Sequence, residues 1–440
     1  MSSTSQELPR KFLKINSVLQ NHRLPKLYDP SKHKVPINYN HEVYDLCPTL
    51  LNGTDDDFIL QEAKNWTPPD LLTDVEIAGL TCSEIREYFW IPDFATSLDE
   101  ANYPVAFTYL IHTFADQAIR LLQYIYWPQN VYCIHVDKDS TQEFFQAIAN
   151  VVQCWPNNIF LVSERVSVRW GEMGVLKAAL NCFSDLNIPE LSWNYMQIYS
   201  GVDMPLRTNR ELVQILKILN GSNDCELTET PVLRYYYARL VKYWGVTSMV
   251  KGVGTRPIPP HDILPYKGSF QATLSREFVD FVLNDQKAVD FLNFLYDTFI
   301  PDEMFWTSMI HNRHLNAPGN FPGICLGYYN VLRTEKNWIS RFQGWGSYSL
   351  SHYKCNGVYS HGSCIFGVQD ISQIRNNPHL CLHKFRQDFE PAALRCLAED
   401  YFRRTFIARD SDLDLDYYRN LPAVKYHHMN AEEKENFYCV

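Results

Sequence analysis

The sequence lacks a long apolar run and an excess of basic charge, and each absence excludes a class of protein. No segment approaches the roughly 18 to 20 consecutive apolar residues of a membrane-spanning helix, and the N-terminal MSSTSQELPRKF has no apolar core of the signal-peptide kind. The 440 residues include 40 Lys and Arg against 50 Asp and Glu, which gives a formal net charge of −10. This balance provides no general attraction for phosphate backbones or anionic lipid, so nucleic acid is not an expected partner.

Two nucleotide-binding motifs are also missing. No G-x-G-x-x-G follows the first predicted strand and no G-x-x-x-x-G-K-[ST] occurs, so the sequence supports neither a dinucleotide-dependent oxidoreductase nor a P-loop NTPase. There is no low-complexity tract and no internal repeat of about 20 to 50 residues. With 46% apolar residues, the chain can bury the core of one large domain or two.

Cysteines and glycosylation sequons are what the sequence has in number. Twelve cysteines are many for a protein kept in a reducing compartment. Three N-x-[ST] sequons begin at Asn52, Asn65 and Asn220. Both features favour a secretory protein, and on that interpretation a longer form carries a membrane anchor that this sequence does not show.

Composition and apolar patterning divide the sequence into three regions. Residues 1–100 are polar, proline-bearing and largely irregular, with short helical patterns, and are interpreted as a stem. Residues 101–405 contain the regular apolar patterns of a folded domain. Residues 406–440 are predicted to be an acidic C-terminal tail.

Strand patterns alternate with helical patterns in the middle region. Strands are predicted over 105–112, 131–137, 159–163 and 195–200, with helices over 116–126, 141–152 and 171–186 between them. This alternation predicts an α/β fold with a mainly parallel, doubly wound sheet. Such sheets bind ligands beyond the carboxyl ends of their strands, where the sequence places His112, Asp137 and the loop 200–203.

Two D-x-D patterns, at 137–139 and 412–414, raise the question of a divalent cation bound to a diphosphate. Carboxylate oxygens suit Mg²⁺ or Mn²⁺. The second pattern lies in the acidic tail and is interpreted as solvated charge. The first ends a strand at the ligand-binding edge, where Asp137 alone could equally accept hydrogen bonds from a uridine or a ribose without a metal.

Two further patterns could supply catalytic groups. The segment 298–306 places Asp302 and Glu303 at the start of a predicted helix between apolar residues. A carboxylate in such surroundings can act as a general base, although a helix cap with a first-turn acid explains the pattern too. Downstream of a glycine-bearing loop between Cys355 and Cys364, Lys384 could reach a phosphate, and a solvated lysine is the alternative.

Six groups of segments form an ordered series along the chain. They are PVAF at 104–107, PQNVYCIHVD at 128–137, NIFLVS at 158–163, GVDMPLRTN at 201–209, PDE at 301–303, and CNGV with CIFG at 355–358 and 364–367. The series resembles the core-2 and I-branching β-1,6-N-acetylglucosaminyltransferases, Golgi enzymes related to the peptide O-xylosyltransferases. The resemblance covers about residues 82–400.

The resemblance implies a GT-A-type catalytic domain over 101–405, inversion at the anomeric carbon, a UDP-sugar co-substrate and no metal cofactor. Glu303 takes the role of general base toward the acceptor 6-hydroxyl. The implied donor-binding residues are Leu110, His112, Asp137, Trp170, His361 and Lys384, the last on the diphosphate, where a fixed cation neutralises the leaving UDP. The implied acceptor-binding residues are Glu226, Arg234, Trp338 and Arg341.

Three departures from the family pattern affect these assignments. His361 stands where the family commonly has an arginine, so one cation near the diphosphate is weaker or conditional on protonation. Trp170 stands at a position often held by tyrosine and is more similar to the xylosyltransferase branch. The segment 235–240 does not follow the branching enzymes well, which leaves the acceptor open.

The resemblance also implies four disulfides, and the sequence fills all eight positions. The pairs are Cys47 with Cys396, Cys82 with Cys154, Cys133 with Cys182, and Cys355 with Cys364. Each contributes about 2 to 4 kcal/mol through the unfolded state. Because oxidised cysteines need a secretory compartment, we expect the protein in the Golgi lumen, with the membrane reached only through an anchor outside this sequence.

The function expected from these features is sugar transfer, with N-acetylglucosamine as the first candidate, from a UDP-sugar to the 6-hydroxyl of galactose or N-acetylgalactosamine in an O-glycan of a glycoprotein. A homodimer is compatible with the sequence. Two alternatives stay open. Trp170 favours a peptide O-xylosyltransferase, which the cysteine framework disfavours, and His361 suggests a catalytically inactive glycan-binding scaffold.

Overall fold

The structure, a computed structural model, describes residues 25–33, 42–155, 158–227, 238–243, 246–251, 257–322, 338–346, 353–408 and 413–437. Strands in these residues are β1 Lys26–Leu27, β2 Phe94–Ala95, β3 Val105–Ile111, β4 Val131–Val136, β5 Ile159–Leu161, β6 Tyr195–Ser200, β7 Asp203–Pro205, β8 Asp224–Cys225, β9 Ala238–Tyr243, β10 Val246–Lys251, β11 Ala272–Ser275, β12 Arg341–Gln343, β13 Val358–Ser360, β14 Ser363–Ile365 and β15 Cys381–His383.

The α-helices in the same residues are α1 Glu42–Asn52, α2 Asp57–Asn65, α3 Asp74–Gly79, α4 Cys82–Tyr88, α5 Leu98–Ala101, α6 Ala115–Ile125, α7 Gln142–Gln153, α8 Gly174–Leu186, α9 Asn209–Leu219, α10 Arg276–Asn284, α11 Gln286–Phe294, α12 Phe305–His311, α13 Ile371–Ile374, α14 Pro391–Phe406, α15 Leu415–Arg419, α16 Pro422–His428 and α17 Ala431–Glu435. Short 3₁₀ helices lie at Pro260–Asp262, Leu295–Asp297, Pro301–Glu303 and Arg313–Leu315. None of the helices in this part of the chain is long and apolar enough to span a membrane.

A six-stranded sheet with the order β5–β4–β3–β6–β11–β8 organises the fold. β3 pairs in parallel with β4 and with β6, and β4 pairs in parallel with β5. β11 runs antiparallel to both β6 and β8. The parallel half confirms the α/β sheet that the alternating sequence pattern predicts, with strand ends within two residues of those expected.

The order of the strands fixes where a ligand can bind. From β3 the chain moves outward to β4 and β5, and it then returns to the other side of β3 to form β6. The switch point of the sheet is therefore between the carboxyl ends of β3 and β6, and ligands of open α/β sheets bind in the crevice at such a point.

Helices cover both faces of this sheet. Successive strand side chains point to opposite faces, and both sets are apolar and pack against helices. Phe107 and Tyr109 of β3 pack in one core cluster with Ile119 of α6 and Phe144 of α7. Ala106, which precedes Phe107 and points to the opposite face, packs in the other cluster, which includes residues of α8. The sheet is thus doubly wound, and its parallel strands are buried on both sides.

Local capping signals set several helix starts. Thr208 accepts a hydrogen bond from the Glu211 backbone N, and the Glu211 side chain bonds back to Thr208, which forms a capping box at the start of α9. Thr141 caps α7 through the Phe144 backbone N. Each of these two boundaries is therefore marked by side chains within the first turn of its helix.

A second, three-stranded sheet with the order β12–β15–β7 lies beside the loop that follows β6. β15 is parallel to β12 and antiparallel to β7. β13 and β14 form a separate hairpin, Val358–Ser360 with Ser363–Ile365. These short strands position Arg341, His361 and Lys384 around the main sheet.

Within the described part of the chain, four disulfides join separate elements, and they are the four pairs that the resemblance implies. They link α1 to α14 through Cys47–Cys396, α4 to the end of α7 through Cys82–Cys154, β4 to α8 through Cys133–Cys182, and the loop before β13 to β14 through Cys355–Cys364. Helices α1 to α4 lie within the region interpreted as a stem, α5 crosses its boundary at residue 100, and α15 to α17 lie within the region interpreted as a tail. The division of the chain at residues 100 and 405 stays a prediction.

The two described cysteines outside these disulfides, Cys225 and Cys381, are both buried. Burial raises the pKa of Cys225 to about 12 and raises that of Cys381 well above its usual value. Because the thiolate is the reactive form, we expect neither thiol to react with a disulfide reagent in the native protein, and both to react after denaturation.

The count of free thiols is best made in a variant with Cys325→Ser and Cys439→Ser. These two cysteines lie outside the described residues, and replacing them leaves Cys225 and Cys381 as the only cysteines outside the four disulfides. The reactive thiols of this variant should rise from none to two when the protein is denatured without reductant. Native-state labelling, or more than two thiols after denaturation, would contradict the assignment of the four disulfides.

Candidate active site

The loop that follows β6 is bonded to the end of β3 at the switch point of the sheet. Leu110 is half-buried near the end of β3, and its carbonyl accepts a hydrogen bond from the Gly201 backbone N at 3.2 Å. The buried Asp203 carboxylate accepts hydrogen bonds from the Ser200 backbone N at 2.6 Å and from Ser200 Oγ at 2.9 Å. His112 is exposed directly after β3. One wall of the site is therefore fixed by contacts within the loop after β6 and between that loop and β3.

Asp137, directly after β4, organises the adjoining wall. Its Oδ1 accepts hydrogen bonds from the Asp139 backbone N at 3.0 Å and from the Val168 backbone N at 3.1 Å. Asp139, the second residue of the first D-x-D pattern, accepts a hydrogen bond from Ser167 Oγ. Both carboxylates thus hold the segment that leads toward Trp170.

Two features of the described residues bear on metal binding: a cluster of potential ligands and the second D-x-D pattern. The described residues contain one three-residue grouping of potential ligands, Cys355, Cys364 and Asp370, and its two sulfurs are joined in a disulfide. In the second D-x-D pattern, Asp412 lies outside the described residues. Asp414 caps α15 by accepting hydrogen bonds from two backbone N–H groups. The metal independence of the site stays a prediction.

Trp170 links the Asp137 wall to the segment before Glu303. Its side chain is 76% exposed, and its ring contacts Phe299 edge to face with the ring centroids 5.2 Å apart. The Gly171 carbonyl accepts a hydrogen bond from the Ile300 backbone N at 2.9 Å. Gly171 has a φ of +81°, and a Cβ there would lie 2.6 Å from the Phe299 ring. Only glycine fits this close approach.

Glu303 ends the 3₁₀ helix Pro301–Glu303, and α12 begins two residues later at Phe305. The sequence places Glu303 in the first turn of a continuous helix, and the structure differs by this short interruption. The Glu303 carboxylate lies 3.7 Å from Lys267 Nζ, with 19% of the Glu303 side chain and 21% of the Lys267 side chain exposed. Lys267 was not predicted, because a single lysine in the irregular segment LPYKGS has no recognisable pattern.

Glu226 lies against the loop that contains Lys267. Thr307 Oγ1, on α12, donates a hydrogen bond to the Glu226 carbonyl at 3.0 Å. The next residue after Lys267, Gly268, donates its backbone N–H to the Glu303 carbonyl at 2.6 Å. A Cβ on Gly268 would lie 2.0 Å from the Glu226 carbonyl oxygen, so this packing of Glu226 beside the Glu303 segment requires glycine.

Lys384, directly after β15, is the centre of a basic group. Its Nζ donates a hydrogen bond to the Ser360 carbonyl at 3.3 Å. Burial lowers the pKa of Lys384, and the positive charges of Arg386 and Arg341 lower it further. Arg341 Nη2 also donates a hydrogen bond to Ser269 Oγ at 2.8 Å. The basic group therefore adjoins the loop that contacts Glu303, and clustered cations of this kind suit an anionic phosphate.

Two histidines adjoin this basic group. His361 is exposed in the turn between β13 and β14, and its Nδ1 lies 3.2 Å from Oγ of Ser360, the residue whose carbonyl binds Lys384. His383 Nδ1 lies 2.7 Å from Asp203 Oδ1. Burial and the nearby Arg341 lower the pKa of His383. The sequence analysis missed this His383–Asp203 pair, because its members are 180 residues apart.

The other predicted site residues differ in how far the structure describes them. Trp338 is half-buried and lies three residues before Arg341. Arg234 lies outside the described residues. The sequon residues Asn52, Asn65 and Asn220 are all exposed.

Comparison with known proteins assigns the chain to a family. The family model described as "Core-2/I-Branching enzyme" matches residues 105–375. The N-acetyllactosaminide β-1,6-N-acetylglucosaminyl-transferase of Homo sapiens is 33% identical over 364 residues, which cover 81% of this chain and 87% of the relative. The Mus musculus protein of the same name is 36% identical over 307 residues, which cover 68% of this chain and 73% of the relative.

A third relative is named for a different acceptor. The β-1,3-galactosyl-O-glycosyl-glycoprotein β-1,6-N-acetylglucosaminyltransferase 4 of Danio rerio is 35% identical over 313 residues, which cover 68% of this chain and 70% of the relative. Together these matches define the protein as a glycosyltransferase. The chain belongs to the Core-2/I-branching enzyme family.

Proposed function

We propose that this protein transfers N-acetylglucosamine from a UDP-sugar to the 6-hydroxyl of a galactose or N-acetylgalactosamine in an O-glycan of a glycoprotein. The reaction inverts the anomeric centre, needs no metal and takes place on a GT-A-type fold. The observation that carries the proposal is the position of Glu303. On one side, Asp137 binds the backbone of Val168 in the segment that leads to Trp170, and the Trp170 ring contacts Phe299 before Glu303. On the other side, Gly268 binds the Glu303 carbonyl, and the next residue, Ser269, binds Arg341, whose charge acts on Lys384. The names of the relatives support the sugar and the β-1,6 linkage.

In this proposal Glu303 accepts the proton of the acceptor 6-hydroxyl as that oxygen attacks the anomeric carbon of the donor sugar. The bond from the anomeric carbon to the diphosphate oxygen breaks, and its electron pair leaves with UDP. Lys384 stabilises the negative charge that develops on the diphosphate. Its fixed charge does here what a divalent cation does in other sugar-nucleotide enzymes.

Other residues bind the two substrates in the proposal. Leu110, His112 and Asp137 hold the nucleotide at the carboxyl ends of β3 and β4, where open α/β sheets bind ligands. The exposed Trp170 contributes an apolar ring surface to the donor side. Glu226, Trp338 and Arg341 contact the acceptor on the side of Glu303 that faces away from the donor.

The test is sugar transfer by secretory-expressed protein in the presence of EDTA. A panel of UDP-sugars is offered with a core-1 disaccharide, N-acetyllactosamine and a serine-containing peptide, and the linkage of each product is determined by NMR. A β-1,6-linked N-acetylglucosamine product in EDTA is the expected result. Activity lost in EDTA and restored by Mn²⁺ would instead indicate a metal site at Asp137 and Asp139.

The same panel separates the alternative functions. Transfer of xylose to the serine peptide would identify a peptide O-xylosyltransferase. Binding of UDP without transfer to any acceptor would point to an acceptor outside the panel. A lack of both UDP binding and transfer would favour an inactive glycan-binding scaffold.

We also propose a Golgi-lumen location, with N-glycans on Asn52, Asn65 and Asn220. Disulfides form in that oxidising pathway, and all three asparagines are exposed in the fold. Enzymatic removal of N-glycans from secretory-expressed protein should lower its mass in one step, and each Asn→Gln substitution should remove one third of that difference. An unchanged mass after treatment would refute the modification.

A further inference from the structure

Asp224, the first residue of β8, is a buried carboxylate that neither the motifs nor the proposed mechanism uses. Only 5% of the residue is exposed. Its Oδ1 and Oδ2 accept hydrogen bonds from the Ile339 backbone N at 3.1 and 3.0 Å. Its Oδ2 also accepts hydrogen bonds from the Ser340 backbone N at 2.7 Å and from Ser340 Oγ at 2.6 Å. Every one of these bonds goes to the two residues between Trp338 and Arg341.

The two sides of this contact both lead into the site. Glu226 lies two residues after Asp224, and its carbonyl is bound by Thr307 of α12. On the other side, Ser340 directly precedes Arg341, whose guanidinium is hydrogen-bonded to Ser269 Oγ. A single carboxylate therefore holds together two segments that are 116 residues apart in the sequence.

The contact is also anchored to the main sheet. Ser340 Oγ lies 2.8 Å from Thr273 Oγ1, and Thr273 is the register partner of Asp224 in the β11–β8 pair. Thr273 Oγ1 in turn donates a hydrogen bond to Gln197 Oε1 of β6 at 3.3 Å. Buried contacts from Gln197 through Thr273 to Ser340 thus hold the 338–341 segment in a fixed position relative to the main sheet.

Burying a charged carboxylate to accept hydrogen bonds from two backbone N–H groups carries a large desolvation free energy. Burial raises the pKa of Asp224 to about 6, which reflects the loss of hydration of the carboxylate. A neutral amide could accept hydrogen bonds from the same backbone at a smaller desolvation cost. It could not accept all the hydrogen bonds that Ile339 and Ser340 donate, because one side of an amide is itself a donor. The carboxylate therefore fixes the segment more tightly than its neutral analogue.

We propose that Asp224 is a positioning residue for acceptor binding. Its carboxylate fixes the segment from Trp338 to Arg341 against Glu226 and so sets the width of the acceptor side of the site. This inference rests on the proposed function, because it takes Glu226 and Trp338 as acceptor-binding residues.

The test is the Asp224→Asn variant, analysed by steady-state kinetics with donor and acceptor varied separately. The KM for the acceptor should rise roughly tenfold, as expected when a charge-assisted hydrogen bond to a buried partner is lost. The KM for the UDP-sugar should stay within about twofold, and the Tm should not fall, because the variant also removes a buried charge.

Asp185→Asn is a matched control, because Asp185 also accepts hydrogen bonds from the backbone N and Oγ of one serine, Ser163. Ser163 lies two residues after β5, at the opposite edge of the sheet from β8. Asp185→Asn should leave both KM values unchanged. Ser340→Ala provides a second variant that keeps the carboxylate and removes only the hydroxyl bonds, and we expect a smaller rise in acceptor KM.

The outcomes separate this inference from the proposed function. Transfer by the wild type with an unchanged acceptor KM in both Asp224→Asn and Ser340→Ala would overturn the inference alone. An equal loss toward donor and acceptor, or a lower Tm with unchanged KM values, would show a merely structural role and would also overturn it. A wild type that neither binds UDP nor transfers sugar, or that transfers only xylose to the serine peptide, would overturn the proposed function and the inference together.

Discussion

Replacing Glu303 by Gln should lower kcat by a factor of about 10² or more, the range expected when a general base is lost, while UDP-sugar binding stays close to that of the wild type. Glutamine has the shape of glutamate but cannot take a proton from the acceptor hydroxyl. The Glu303 side chain is only 19% exposed, and its backbone is held by Gly268 and by the 3₁₀ helix Pro301–Glu303. The variant should therefore keep the geometry of the site and lose the proton transfer.

The measurement is kcat at saturating donor and acceptor, together with the Kd of UDP from calorimetry. Glu190→Gln, at an exposed glutamate in the connection between α8 and β6, controls for the loss of one negative charge. A matching loss of UDP binding and turnover would mean that Glu303 stabilises the fold instead of acting on the substrate.

Lys384→Ala should have the second-largest effect, with a fall in kcat/KM for the UDP-sugar of about 10- to 100-fold. That range corresponds to losing one charge-assisted hydrogen bond in a partly buried site. Lys384 lies among like charges, since Arg341 and Arg386 both lower its pKa. Removing its charge relieves this repulsion, so the fold should tolerate the substitution.

Initial rates at varied UDP-sugar and saturating acceptor measure the effect of Lys384→Ala. Lys425→Ala, which removes an exposed lysine from α16, is the matched control and should behave like the wild type. If the donor KM and kcat of Lys384→Ala both equal those of the control, Lys384 has no role at the diphosphate.

Much of the fold could be predicted from the sequence because its signals are local. The strands β3, β4, β5 and β6 are continuous apolar runs, and the helices between them have apolar residues at helical spacing. The strands β8 and β11 were not predicted. They are two and four residues long, and a segment that short has no periodicity that distinguishes a strand from a loop.

The candidate site was predictable only in part, because only some of its residues lie in segments with a recognisable sequence pattern. Asp137 and Glu303 lie in ordered motifs, and Lys384 lies downstream of the last motif, so the resemblance assigns them. Lys267 beside Glu303, and Asp224 beneath Ser340, belong to no motif and were found only from their contacts. Arg341 was expected on the acceptor side, and its charge also reaches Lys384.

The sequence by itself determined the family, the parallel half of the sheet and the cysteine framework, because each depends on residue types at fixed spacing along the chain. The tertiary structure alone decided which distant groups meet: Lys267 with Glu303, His383 with Asp203, and Asp224 with the segment before Arg341. Such contacts join residues tens to more than a hundred positions apart. They depend on how the strands and loops pack in space, and packing of that kind leaves no periodic trace in the sequence.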